Sequence, residues 1–233
     1  MTPLLLLPGM MCDARLYGPQ IAALSGRYPI HLAPMAAHET VAEMAAAILR
    51  AAPPQFALAG LSMGGIVAME VLRQAPPRVE RLALLDTNPM AEIAEVKARR
   101  ESQIAKVQQG GLADVMRDEM KPNYLADGPR RVEILDLCMD MALGLGAEIF
   151  VRQSRALQSR PDQQETLRGC RVPTLILCGR ADVLCPVERH ALMHALIPQS
   201  HLVIVEGAGH LPTLEQPEAT TAAMENWLAM PLE

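Results

Sequence analysis

The sequence predicts an α/β fold: a mostly parallel sheet of about six strands flanked by helices. Two observations carry that prediction. Short runs of near-continuous Leu, Ile and Val, such as LLLL at 4–7 and TLILC at 174–178, alternate with segments of helical periodicity. Strands of that kind are buried on both faces, which happens in parallel sheets covered by helices on either side. The second observation is an interruption: the stretch between residues 88 and 170 holds no strand-like run and many charges, so it reads as a helical insertion between two strands. A chain of 233 residues has room for one full core and such an insertion. The expected division is a core of residues 1–88 and 170–233 with an insertion of 89–169.

In chain order, the first strand covers 4–7 and ends in Pro8-Gly9, and a second covers 30–33. In ETVAEMAAAILRAAP, Val41, Met44, Ala45, Ile48 and Leu49 share one helical face, and Pro53-Pro54 stops the helix. A strand at 56–61, a helix at 65–74 ended by Pro76-Pro77 and a strand at 81–86 follow. Inside the insertion, helices are predicted near 91–109, 112–120, 130–143 and 147–159. Ile93, Val96, Ile104 and Val107 form the stripe of the first, and Gly110-Gly111, Gly128-Pro129 and Gly144 mark the breaks. Then VPTLILCG is a strand, VERHALMHALI a helix, HLVIVEG a strand and PEATTAAMENWLAM a closing helix with Pro217 in its first turn. An insertion placed between strands of a parallel sheet lies over their carboxyl ends, where such sheets bind ligands, so it is expected to act as a lid.

Composition narrows the function. A net charge of −5, with no Lys/Arg cluster interleaved with aromatics, excludes a nucleic-acid footprint. The apolar runs are too short for a membrane span, and the start MTPLLLLPGMMCD lacks the basic flank of a signal peptide. Five scattered cysteines without a CxxC pair fit reduced thiols in a cytoplasmic protein, not a disulfide framework or a zinc site. His190 and His194 have the i, i+4 spacing of two metal ligands, but no third ligand accompanies them. They read as a solvated helix face, and no metal is expected.

The chemistry concentrates in FALAGLSMGGIVAMEVL, residues 56–72. A serine at a tight strand-to-helix turn is forced to positive φ and lifted off the sheet, and small residues are needed two positions to either side. Gly60 and Gly64 satisfy that demand around Ser62. The following helix directs free N–H groups at the hydroxyl, a setting that favours developing negative charge. A serine hydroxyl needs a base, and the base an orienting acid. Of six histidines, only His210 sits in a glycine-bearing loop just past a strand, in VIVEGAGHLPTLEQP. Asp182 in LILCGRADVLCP also follows a strand end. Asp86 in LALLDTNP is its competitor, read instead as shaping its own turn through bonds to nearby backbone.

These stretches resemble the α/β-hydrolase superfamily over nearly the whole chain: GLSMGG its nucleophile elbow, GRADVLCP its acid loop, GAGHLPTLEQPE its histidine loop. The resemblance implies a Ser62–His210–Asp182 triad, no cofactor, and an acyl-serine that water cleaves. It also implies an oxyanion hole from the backbone N–H groups of Met63 and, in the loop after the first strand, Met10. Relatives commonly have His-Gly in that loop where this chain has Pro8-Gly9, so the bracing histidine is missing and the stiffness of Pro8 is expected to replace it. The usual N-terminal antiparallel hairpin is expected to be lacking, leaving the strand near 30–33 as an edge that a second copy could cover in a homodimer. Fifteen methionines against 3% aromatics suit an adaptable apolar pocket. The expected activity is hydrolysis of small or medium carboxylic esters. Two alternatives stand beside it: C–C hydrolysis or a non-hydrolytic elimination like that of the menaquinone-pathway synthase, and a non-catalytic small-molecule binding module.

Overall fold

The computed structural model describes residues 2–232. Six strands, β1 (Leu4–Leu7), β2 (Ile30–Leu32), β3 (Phe56–Leu61), β4 (Val79–Leu85), β5 (Thr174–Gly179) and β6 (His201–Val205), form one sheet in the order β2-β1-β3-β4-β5-β6. Every pairing is parallel. β1, β3 and β5 are buried along their whole length, as their unbroken apolar runs require. At the edge, His31 and Leu32 of β2 are exposed.

The core helices are α1 (Gly18–Leu24), α2 (Val41–Ala51), α3 (Met63–Gln74), α9 (Val187–Leu196), α10 (Pro212–Glu215) and α11 (Pro217–Leu228). They cover both faces, and β1 shows how. Leu5 and Leu7 join one apolar cluster with Met44, Ile48 and Val67 of α2 and α3. Leu4 and Leu6 join the other with Leu24 of α1 and Met224 and Trp227 of α11. Alternate side chains of a strand point to opposite faces, so one four-residue run feeds two cores.

The insertion contains α4 (Ala94–Gln108), α5 (Leu112–Asp114), α6 (Arg131–Leu145), α7 (Ala147–Gln158) and α8 (Gln164–Arg168), with a π-helical stretch at Val115–Met120. Most of the predicted elements are present, and the differences have local causes. The stripe of α4 is carried by Ile104 and Val107, whereas Ile93 caps the helix and is 57% exposed. α6 runs through Gly144 and breaks at Gly146, where φ is 87°. The short helices α1, α8 and α10 have too few turns to show a period in sequence.

Candidate active site

β3 ends at Leu61 and α3 begins at Met63, so Ser62 alone makes the connection, with φ 55° and ψ −115°. Its N–H donates to the Leu85 carbonyl at 2.9 Å and its own carbonyl accepts from Thr87 Oγ1 at 2.7 Å. The end of β4 and the turn that follows it thus hold both ends of the strained residue in place. A Cβ on Gly60 would lie 2.2 Å from the Gly64 carbonyl oxygen, and one on Gly64 would lie 2.0 Å from that of Leu7. The two glycines flanking the serine are therefore demanded by packing.

The hydroxyl does not stand alone. His210 Nε2 lies 2.8 Å from Ser62 Oγ, and Nδ1 of the same ring lies 2.8 Å from Asp182 Oδ2. The other carboxylate oxygen of Asp182 accepts the Leu184 and Cys185 N–H groups at 2.8 and 3.0 Å. Burial opposes charge on Asp182, but the facing His210 and these donors more than offset it and hold its pKa below the usual carboxylate range. Ser62, His210 and Asp182 come from three separate strand ends and meet in one hydrogen-bonded line.

The loop after β1 faces this line. The Cys12 N–H closes a turn onto the Gly9 carbonyl at 3.2 Å, with Met11 at φ 56°. That turn position normally belongs to glycine. Among the described residues, the N–H groups of Met10 and Met63 have no protein acceptor, and both residues line the cavity beside Ser62. The neighbouring Met11 N–H is engaged: it donates to Gln153 Oε1 of α7 at 2.8 Å, and Gln153 Nε2 donates to the Met35 carbonyl at 3.0 Å. Pro8 is thus not the only stiffener. The brace is a buried glutamine of the insertion, 142 positions away, and no spacing in the sequence reveals it.

The alpha/beta hydrolase family model matches residues 4–223. The chain belongs to that family. It is similar to a pimeloyl-[acyl-carrier protein] methyl ester esterase of Aliivibrio salmonicida, 25% identical over 250 residues that cover 97% of this chain and 91% of the relative. Among solved structures, it is similar to a malate-bound thermophilic esterase from Thermogutta terrifontis, 28% identical with a TM-score of 0.89, covering 98% and 89% of the two chains. MenH from S. aureus, 20% identical with a TM-score of 0.86 over 97% of this chain and 93% of its own, shares the fold.

In this alpha/beta hydrolase the competitor acid Asp86 has a different place from the one expected. It is fully buried at φ 44°, and its Oδ1 accepts the Gly179 N–H at 2.9 Å, across the sheet end and not within its own turn. The turn is shaped by Asn88, whose Oδ1 accepts the Met90 N–H. Burial first, and the charge of Asp182 second, push the Asp86 pKa well above the usual range, and its Oδ2 is buried without a hydrogen-bond partner among the described residues. His190 is buried too, correcting the solvated-face expectation. Its Nε2 accepts the Thr87 N–H at 3.1 Å and its Nδ1 faces the Pro186 carbonyl. Burial lowers its pKa to about 4, so the ring is neutral. His194 pairs with Ser200 Oγ at 2.8 Å. Among the described residues, the side chains close enough together to share a cation are Asp182, Cys185 and His210, and two of these already bond each other.

A cavity of about 450 Å³ opens above Ser62. Met10, Met63, Met90 and Met120 line it, while Met11 is packed in the core. Part of its wall is cationic, which the methionine count does not foretell. Glu92, with 1% of its side chain exposed, receives Arg100 at 2.8 Å on one oxygen and Arg160 at 3.1 Å on the other. Arg100 Nη1 also lies 3.6 Å from the Met10 sulfur. The histidine loop is tied to the insertion as well. The His210 N–H donates to the Tyr124 carbonyl at 2.7 Å, and Glu215 Oε2 accepts from both Gly209 and Ala126.

Proposed function

We propose that the chain is a carboxylic ester hydrolase working through an acyl-serine. The observation that carries this reading is the unbroken line from Ser62 Oγ through His210 to Asp182, both links at 2.8 Å. His210 takes the serine proton as Oγ attacks the ester carbonyl, and the carbonyl oxygen becomes an anion. The free N–H groups of Met63 and Met10 receive that anion, each such donor contributing about 3 kcal/mol in the transition state. The imidazolium then returns the proton to the departing alcohol, and water repeats the sequence to release the acid. Asp182 keeps the ring in the right tautomer and stabilises its charged form. Serine, imidazole and water supply every step, so the route requires no cofactor. Residues 89–169 act as the lid that walls the cavity from solvent. The esterase names of the relatives support ester substrates. No described helix is long and apolar enough to cross a membrane, and the free, mostly buried cysteines support a cytoplasmic setting.

The test is a trapped intermediate. Acid quenching during turnover of p-nitrophenyl butyrate, followed by peptide mass spectrometry, is expected to place a butyryl group on Ser62, and a fluorophosphonate should label the same residue. Turnover without either adduct would replace this reading with an elimination on the same residues.

A further inference from the structure

The cavity wall carries more positive charge than it neutralises. Arg100 and Arg160 divide the two oxygens of Glu92 between them, their side chains 15% and 11% exposed. Arg189, at the start of α9, also lines the cavity, and its only side-chain partner among the described residues is the sulfur of Met90. Arg99 lines the rim without a carboxylate partner, and the nearby Glu119 is already held by Lys106. Four guanidinium groups therefore line the cavity with two carboxylates, Glu92 and Glu119, the second already held by Lys106, in a chain whose net charge is −5. Like charges gathered in a half-buried wall repel one another. Arg160 shows this, since burial first, and then Arg100 and Arg189 against the pull of Glu92, hold its pKa below its ordinary value. A clamp within the insertion, tying its first residues to α4 and to the segment after α7, would need Glu92 and its two partners and no more. Arg189 is surplus to it.

We propose that the ester cleaved at Ser62 bears a carboxylate, which Arg189 binds within the cavity, with Arg100 and Arg160 adding to the field. Glu92 already shows the mode of recognition, one oxygen to each guanidinium, and a carboxylate is the geometric match to such donors. The proximity of Arg100 to Met10 sets this field next to the loop that receives the oxyanion. Exposed Ile93, Val183 and Leu184 at the cavity's edge leave room for an apolar stretch between the ester and its charge. This substrate class rests on the ester-hydrolase reading above.

The test compares two pairs of matched esters. Monomethyl adipate against methyl hexanoate places the charge on the acyl side, and 4-(hexanoyloxy)butyrate against butyl hexanoate places it on the alcohol side. In one pair the charged ester is expected to have a kcat/KM about ten-fold above its neutral partner, an advantage that shrinks with added salt. Arg189→Gln should cut that ratio about ten-fold, chiefly through KM, and Arg189→Lys should keep part of it. Arg99→Gln, at an exposed position, gives a second reading of the ratio if the first variant folds poorly. A wild-type ratio of one or less in both pairs, or a ratio that Arg189→Gln leaves unchanged, would overturn the proposal. Failure of the underlying reading looks different: none of the four esters is cleaved and Ser62 takes no fluorophosphonate.

Discussion

The strand ends and the helical insertion build the site on different terms. The core brings Ser62, Asp182 and His210 together from residues that directly follow β3, β5 and β6, and their positions are set by strand register and turn geometry. The insertion contributes Gln153, Tyr124 and the Glu92 cluster by reaching over the sheet. Gln153 lies 142 positions from the Met11 N–H it holds, and Arg160 lies 68 from Glu92. All three non-glycine residues with positive φ among those described, Met11, Ser62 and Asp86, follow the ends of β1, β3 and β4. Strain is concentrated around the proposed site, and each of these residues is held by a partner from elsewhere in the chain. On the proposed chemistry, the contrast separates reactivity, which the core would supply locally, from alignment and selectivity, which would come from a distance.

Substitutions at four positions would break or sharpen that separation. Ser62→Ala should reduce ester turnover by about four decades or more while the melting temperature stays near wild type, because the hydroxyl holds no part of the fold together. Parallel rate and melting measurements check this, and residual turnover near wild type would move the chemistry out of the core. His190→Gln addresses the support beneath the elbow. A histidine with a pKa of about 4 when folded and 6.5 when unfolded binds protons preferentially in the unfolded state between those values. Its contribution is thus complete above pH 6.5 and is lost as pH falls toward 4, by about 3 kcal/mol in all. Urea unfolding at pH 7.5 and 4.5 should show a smaller acid loss in the variant than in wild type. The difference isolates His190 from Asp86 and Glu215, whose raised pKa values act with the opposite sign.

Gln153→Ala tests the insertion's hold on the oxyanion loop. It should lower kcat about ten-fold with KM little changed, and destabilise the fold by about 1–3 kcal/mol through the stranded Met11 N–H. An unchanged kcat with lowered stability would make Gln153 a packing residue only. The smallest effect belongs to Asp86→Asn. The amide keeps an oxygen to accept the Gly179 N–H and replaces a carboxyl whose ionised form burial disfavours, so turnover should stay within about three-fold. Asp86→Leu removes the acceptor of the Gly179 N–H and should fall well below that.

The parts legible in sequence follow the same division. GLSMGG, GRADVLCP and GAGHLPTLEQPE could be read because a turn's demands fall on residues a few positions apart. The inner strands could be read because burial on both faces leaves unbroken apolar runs, a signal that edge strand β2, with His31 and Leu32 exposed, does not carry. Gln153 has no such signal: within α7 it is one polar residue among several, and only the meeting of α7 with the loop after β1 gives it a role. Arg189 and the Glu92 cluster were hidden for a related reason, since overall acidity masks a local excess of the opposite sign. Asp86 was misplaced because its partner lies on the adjacent strand end and not in its own turn.

The bond from the His210 N–H to the Tyr124 carbonyl, with Glu215 gripping Gly209 and Ala126 together, has a mechanical consequence. The backbone that carries the imidazole is stitched to the roof above it. Were the roof to lift at residues 124–126, the ring would be dragged with it and lose its alignment to the hydroxyl. An entrance that admits a ligand while keeping the relay armed must therefore hinge elsewhere, leaving that seam closed.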